Sequence, residues 1–365
     1  MIRDPAALDA LLPRLASARR VALDTEFHTE RHFHPRVMLL QVLPEGGEPA
    51  LIDPLAAIDL RGLGDALADV EVLVHGGQMD VQILRDLTGR APRAVFDTQV
   101  AAAFVGDGWP VRLQELARRH LGLHMPKTET LSDWSRRPLS AAQIAYARDD
   151  VRVLPPLADA LLAQLGARGS EGFARDCLAE MYARALEPPD DDVAWRSVAG
   201  AHLLDDTERA VLQSLTAWRD RRARQLDVPR QNVLSDALLL DLSRRRPVTV
   251  EDMRANRRMP SQATRRDAAD ILERVAVGSA ATPPPPLRAR PVHVTDLLRA
   301  AARVAERATG VSADLVLDDD TMTKLANGQP IAAWRKCALG SDFFEFLEGG
   351  TGLVWPGVFA ARDKF

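Results

Sequence analysis

Hydrophobic positions in the first half of the chain come in short runs separated by polar or Gly/Pro segments. Three of them, "RVALDTEF" from Arg20, "VMLLQVL" from Val37 and "PALIDP" from Pro49, have the length of strands. Their close spacing predicts an antiparallel meander. "DLRGLGDALAD" then predicts a helix, "VEVLVHG" a buried strand, and "MDVQILRDLTG" a helix closed by its glycine. Two more helical patterns follow, "VRLQELARRHLG" and the long "LSAAQIAYARDDVRVLPPLADALLAQL", the second interrupted at Pro155-Pro156. Strands first, then strands mixed with helices, predict a mixed α/β sheet covered by helices.

After Gly166 the strand-like runs stop. "EPPDDD", beginning at Glu187, is a polar, proline-bearing break. From Asp205 onward the pattern is helical through "DTERAVLQSLTAWRDRRARQL", "LSDALLLDLSRR", "TVEDMRAN" and "QATRRDAADILERVAVG". "SAATPPPPLRARP" must then be extended and stiff, because consecutive prolines exclude helix. The rest opens with another helical pattern, "VTDLLRAAARVAERATG", and ends in a Gly-rich tail. These breaks predict an α/β domain over 1–186, a helical domain over 205–282, and a second, divergent helical domain over 292–365.

A length of 365 residues fits that division into two or three domains. An apolar share of 46% is enough to fill real cores, and with 5% aromatics the filling is aliphatic. Every apolar run falls short of the roughly 18–20 residues a membrane helix needs. The opening "MIRDPAALDALLPRL" has acids and a proline where a secretory signal would have an unbroken apolar core. A soluble, cytoplasmic protein is the expectation. Cys177 and Cys337 lie too far apart for a ligand or redox spacing. The net charge of −4 does not announce a nucleic-acid binder. Arginine outnumbers lysine and alanine is abundant, a bias that nucleotide composition produces, so arginine-rich stretches carry less weight.

"VALDTEFHTERHFH", from Val21, sets two kinds of potential metal ligand side by side. Asp24 and Glu26 end an apolar strand, and period-two geometry turns both toward one face with Cα atoms roughly 6–7 Å apart. Asp80 opens a helix just after a strand, where site residues of open sheets gather. Tyr146 and Asp150, four residues apart on a helix, share a face. Four converging acids resist ionising together. Divalent cations relieve that repulsion, and hard carboxylate oxygens suit magnesium or manganese. A tyrosine one turn from the last acid can orient the attacking water. Two-metal hydrolysis of a phosphodiester is the chemistry this set fits.

In order along the chain, "DTEF", "PRVMLLQV", "LIDPL", "LVHGGQMDVQIL", "FDTQVAAAF" and "LSDWSRRPLSAAQIAYARDDVRVL" resemble the motifs of ribonuclease D. That family lies in the tyrosine-bearing subgroup of the DEDD 3′→5′ exonuclease superfamily. The resemblance implies a ribonuclease H-like fold over the first 165 or so residues and release of nucleoside 5′-monophosphates one at a time. It implies that Asp24 bridges two magnesium or manganese ions. Glu26 and Asp150 would complete the first site, Asp80 would support the second, and Tyr146 would orient the water. Asp149 competes with Asp150, but the family pattern selects the acid at i+4 from the tyrosine. Asp97, ahead of a helical run, reads as an N-cap. The stretch "LTAWRDRRARQLDVPRQNVLSDALLLDLSRRRPVTVEDM" resembles the helical HRDC module, and 292–365 would be a second, divergent one.

His28, His32 and His34 lie in a predicted loop before Pro35, with no other His or Cys motif to complete a zinc site. They read as polar neighbours of a substrate cleft, able to touch a phosphate or a base. His75, at a strand end, reads as a hydrogen-bonded structural residue. Lys127, Trp134, Arg136 and Arg137 suit two descriptions equally: a basic, aromatic guide for a single strand, or a packed surface loop anchored by its tryptophan. Between 201 and 280 there are fifteen arginines against twelve acids, a surplus of three. Arg221, Arg222, Arg244, Arg245, Arg246, Arg257, Arg258, Arg265 and Arg266 would form an RNA-binding surface only if they cluster. The expected substrate is RNA with a single-stranded 3′ end, such as a tRNA precursor, acted on by a monomer without membrane contact. A DNA exonuclease and an inactive nucleic-acid-binding relative are the alternatives.

Overall fold

The computed structural model describes residues 1–125, 132–287, 292–326 and 328–347. It divides into two compact units. The first holds residues 1–26, 37–187 and the described residues from 292 onward; the second holds 27–36 and 188–287.

One sheet organises the first unit. Its strands are β1 (Arg20–His28), β2 (Arg36–Pro44), β3 (Ala50–Ile52), β4 (Glu71–Val74) and β5 (Ala94–Asp97), in the order β3-β2-β1-β4-β5. β3 runs antiparallel to β2, with Leu40 opposite Ile52. β4 runs parallel to both neighbours, with Val21 opposite Val72 and Leu73 opposite Phe96. The first three runs thus become adjacent strands. β5, only four residues long, carries too little periodicity to be read as a strand. Val21, Ala22, Leu23, Val72, Leu73 and Phe96 are all buried. Strands covered on both faces read as continuous apolar runs, and these do.

Helices cover the sheet in chain order: α1 (Pro5–Ala16), α2 (Arg61–Leu67), α3 (Gln78–Thr88), α4 (Thr98–Phe104), α5 (Leu113–Leu116), α6 (Ala141–Arg152), α7 (Leu154–Arg168) and α8 (Glu171–Leu186). α5 continues into a π-helical turn at Ala117–Leu121. In α1, Asp4 caps the free N–H of Ala7, and Leu8, Leu11 and Leu15 form the buried stripe. A reciprocal capping box starts α6: Ser140 accepts from the Gln143 N–H, and the Gln143 side chain accepts from the Ser140 N–H. Pro155 and Pro156 occupy the opening turn of α7, where no N–H is needed, so the predicted interruption falls at Val153 between two helices.

The helices after residue 291 pack on this same unit. Trp334 is buried and meets Phe104 of α4 with ring centroids 5.9 Å apart. Its Nε1–H donates to Glu180 of α8 at 2.7 Å. Arg335 stacks on the Trp334 ring at 4.2 Å and bridges Glu180 (2.9 Å) and Asp318 (3.1 Å).

The second unit is built on α9 (Asp206–Leu226), which opens with a capping box of Asp205 and Glu208. The helix Ala268–Ala280 crosses it closely at Gly278, where a Cβ would lie 2.5 Å from the Val211 Cα. Trp195, Leu212, Leu215, Leu239 and Ile271 fill the core between. Among the described residues no helix is long and apolar enough to cross a membrane.

Candidate active site

The alternation at the end of β1 decides which side chains meet. Thr25 turns into the protein and is buried, while Asp24 and Glu26 lie half-buried on the other face. α6 brings Asp150 to the same place. The three carboxylates offer oxygens that all lie within 4.8 Å of one another. Asp80, in the first turn of α3, stands behind them: it is buried, and the Thr25 hydroxyl donates to its carboxylate. Tyr146, one turn before Asp150, hydrogen-bonds the Asp150 carboxylate.

Burial, and the neighbouring charges, make these acids hard to ionise together. Burial, then the charges of Asp80, Asp150 and Glu26, push Asp24 well above the usual carboxylate range. Burial, then Asp150 and Asp80, raise Glu26 to about 8. Asp150 is raised to about 7, chiefly by burial, against the bond from Tyr146, which pulls it down. Burial raises Asp80 to about 6, opposed by the Thr25 hydrogen bond. A cluster that would stay partly protonated at neutral pH, made only of oxygen donors, fits hard divalent cations, whose charge removes the penalty of ionising.

Asp24, Thr25, Glu26, Tyr146 and Asp150 line a cleft of about 670 Å³. The remaining lining is His75, Gln99 and residues 110–114. Gln99, Arg112 and Gln114 were not expected here. The only sequence signal is that "VRLQ" opens a helix, and helix openings do not announce a cleft. Arg112 is the one cation in that lining and, among the described residues, forms no ion pair. His75 is pinned as expected: Nε2 bonds the Val111 carbonyl and Nδ1 meets the Thr98 hydroxyl, each at 3.0 Å. Burial lowers its pKa, so the ring serves as a neutral strut.

Asp149 turns away from the site, half-exposed and paired with Arg152 at 3.6 Å. Trp134 is buried with Met38, Leu39, Leu51 and Leu139, its ring 6.1 Å from that of Tyr146. Arg137 grips Asp53 through Nε (2.8 Å) and Nη2 (2.7 Å) and donates to the carbonyls of Met38, Trp134 and Arg136. Of the two descriptions of this segment, Trp134 and Arg137 follow the packed one. Arg136 is exposed and pairs with Asp133 at 3.1 Å; Lys127 lies outside the described residues.

Among the described residues, no histidine joins a group of three potential metal ligands. His32 Nδ1 bonds Asp227 at 2.9 Å, and Phe33 packs on the helical core under Arg230, 4.8 Å from the ring centroid. The 27–36 segment therefore belongs to the helical unit. The arginines that would form an RNA face there are partly neutralised: Arg221 pairs with Asp191, Arg222 and Arg266 with Asp267, and Arg245 with Asp241.

Residues 1–166 match the family model described as 3′-5′ exonuclease, and 208–275 match that of the HRDC domain. The chain is 36% identical to the ribonuclease D of Gluconacetobacter diazotrophicus over 75% of its own length and 70% of that relative. It is 31% identical to the ribonuclease D of Pseudomonas paraeruginosa over 95% of its length and 97% of that relative. Among solved structures, it resembles Escherichia coli RNase D, described as an exoribonuclease involved in structured RNA processing. The TM-score is 0.85 at 25% identity, covering 96% of this chain and 98% of the other.

Proposed function

This chain belongs to the ribonuclease D family and is a divalent-metal-dependent 3′→5′ exoribonuclease, and we propose that Asp24, Glu26, Asp80, Tyr146 and Asp150 carry its chemistry. The observation that supports this most is the convergence of Asp24, Glu26 and Asp150 within 4.8 Å, in a cleft, with Asp80 directly behind.

Asp24, Glu26 and Asp150 would hold one cation, and Asp24 with Asp80 a second. Two magnesium or manganese ions bound there would supply the charge that lets all four acids ionise and the Lewis acidity that phosphodiester hydrolysis requires. The Tyr146 phenol, tied to Asp150 one turn away, points a water toward the scissile phosphorus. Attack forms the new P–O bond as the water gives up a proton to solvent. The bond to the 3′-oxygen of the preceding nucleotide breaks, that oxygen takes up a proton from solvent, and a nucleoside 5′-monophosphate leaves. Thr25 keeps the Asp80 carboxylate directed at the site. Arg112 is the cleft residue suited to meet a substrate phosphate. Substrates are RNAs with single-stranded 3′ ends, tRNA precursors among them, trimmed by a cytoplasmic monomer.

The test is a time course on 5′-labelled RNA and DNA of one sequence, each with a 3′ single-stranded tail. Expected is a ladder shortening from the 3′ end of RNA with release of mononucleotides, abolished by chelator and by Asp24→Asn. RNA cleavage that survives the chelator, or an active Asp24→Asn enzyme, rules the assignment out. Equal or faster loss of the DNA would overturn the substrate reading.

A further inference from the structure

We propose that Asp97 and Tyr182 form a buried positioning device that sets Asp80, by holding the turn from which α3 departs. The inference rests on the reading of Asp80 given above.

Asp97 is an N-cap, as its place before a helix predicts, accepting from the Gln99 N–H at 2.8 Å. One bond would complete that task. The same carboxylate oxygen also accepts from the Gly76 N–H at 2.8 Å, and the other accepts from the Gly77 N–H (3.2 Å) and the Tyr182 O–H (2.8 Å). Asp97 is 1% exposed and, among the described residues, has no ion-pair partner. The hydroxyl of its neighbour Thr98 lies 3.0 Å from both the Val74 carbonyl and His75 Nδ1, and its one proton serves one of these acceptors at a time. Residues 97 and 98 thereby engage four consecutive residues, 74–77.

Those four residues are the lead into α3. Gly77 is its N-cap residue and has no side chain to cap with, so Asp97 supplies the acceptor from another element. Neither glycine accepts a replacement. Gly76 sits at φ +63°, and a Cβ at Gly77 would lie 2.5 Å from the Val74 Cβ. Three residues past Gly77, α3 presents Asp80 to Thr25. Tyr182, on α8, braces the carboxylate from below. Its burial, followed by the charge of Asp97, raises the phenol well above its usual range, keeping it a donor.

Only a carboxylate offers acceptors to all four donors. In Asp97→Asn the amide NH₂ takes one oxygen's place. Facing Tyr182, it lets the hydroxyl turn and accept, and strands the Gly77 N–H at the start of α3. Tyr182→Phe removes one donor and leaves both glycine amides held, so its effect is the smaller.

The test titrates manganese alone into the full chain by calorimetry, for the wild type, Asp24→Asn, Asp97→Asn and Tyr182→Phe. Thermal unfolding in chelator and the manganese concentration for half-maximal RNA cleavage are measured alongside. Asp97→Asn is expected to weaken manganese binding by about 10–100-fold, as loss of a supporting partner of a metal ligand does. Tyr182→Phe should weaken it by roughly threefold to tenfold, the worth of one hydrogen bond. In both, kcat recovers at saturating manganese and KM for RNA holds. A device that only props up the fold would lower the melting temperature and leave the manganese midpoint in place; that result overturns the proposal. Should Asp97→Asn fail to fold, the midpoint of Tyr182→Phe decides alone. Wild-type binding that Asp24→Asn does not remove would instead sink the functional reading, and this inference with it.

Discussion

Replacing Glu26 with glutamine should make the metal-free protein more stable at alkaline pH while removing its activity. Glu26 titrates at about 8 in the fold, against 4.5 ordinarily, because it is buried beside Asp150 and Asp80. The folded state therefore holds this proton more tightly than the unfolded chain. The stability that goes with it is fully present below about pH 4.5 and is lost as the pH climbs toward 8. For one group with that shift, the loss between pH 5 and pH 8 is about 3 kcal/mol. For a unit of this size that corresponds to roughly 6–12 °C in melting temperature. The variant has no such proton. In EDTA, melting curves of the two proteins should nearly coincide at pH 5 and separate by that amount at pH 8, with Glu26→Gln the more stable. Saturating magnesium should reverse the order, because the wild type gains by ligand linkage and the variant has lost a ligand. The measurement is differential scanning fluorimetry at several pH values in fixed salt. A constant separation from pH 5 to pH 8 would refute the claim that Glu26 belongs to a desolvated anionic cluster.

Among the described residues, Arg137→Met leaves the buried Asp53 with Arg3 as its remaining ion-pair partner, beside the Leu55 N–H it caps, so about 3 kcal/mol should disappear from urea unfolding. RNA affinity of the folded variant should hold; loss of affinity at unchanged stability would return Arg137 to the substrate side. Tyr146→Phe should lower single-turnover cleavage about 100-fold by rapid quench, since water positioning is lost, while manganese affinity falls by no more than the roughly threefold to tenfold that its one hydrogen bond to Asp150 is worth. Asp149→Asn should cleave within about twofold of wild type while Asp150→Asn is inactive, because only Asp150 faces the cleft; a damaging Asp149→Asn would exchange their roles.

Most of the candidate site's geometry was legible because its residues sit on elements with strong periods. The alternation of "RVALDTEF" turned Asp24 and Glu26 to one face, and the helical period of α6 set Tyr146 and Asp150 together. Asp80 followed from its place after a strand. Most of what escaped reading depends on partners distant in the chain. Trp134 and Arg137 carry the composition of a nucleic-acid guide, yet their partners Met38 and Asp53 are about a hundred residues away in sequence, and no local pattern reports that burial. The arginines after 201 are similar, since acids such as Asp191 and Asp267 take up part of their charge through tertiary contacts. β5 went unseen because four residues cannot display a period. His32, expected from sequence beside the cleft, packs in the helical unit because Asp227 holds it.

The sequence by itself determined which acids exist, on which element each lies and toward which face it turns, because those follow from backbone periods of two and 3.6 residues. Only the tertiary structure decided what the acids do to one another. Their raised pKa values come first from burial and then mostly from charges more than fifty residues apart in the chain, so they develop fully only when β1, α3 and α6 meet. The same holds for Asp97. Its place before a helix made it a cap, and folding alone gave its carboxylate Gly76, Gly77 and Tyr182, since hydrogen bonds between distant segments leave no trace in local pattern.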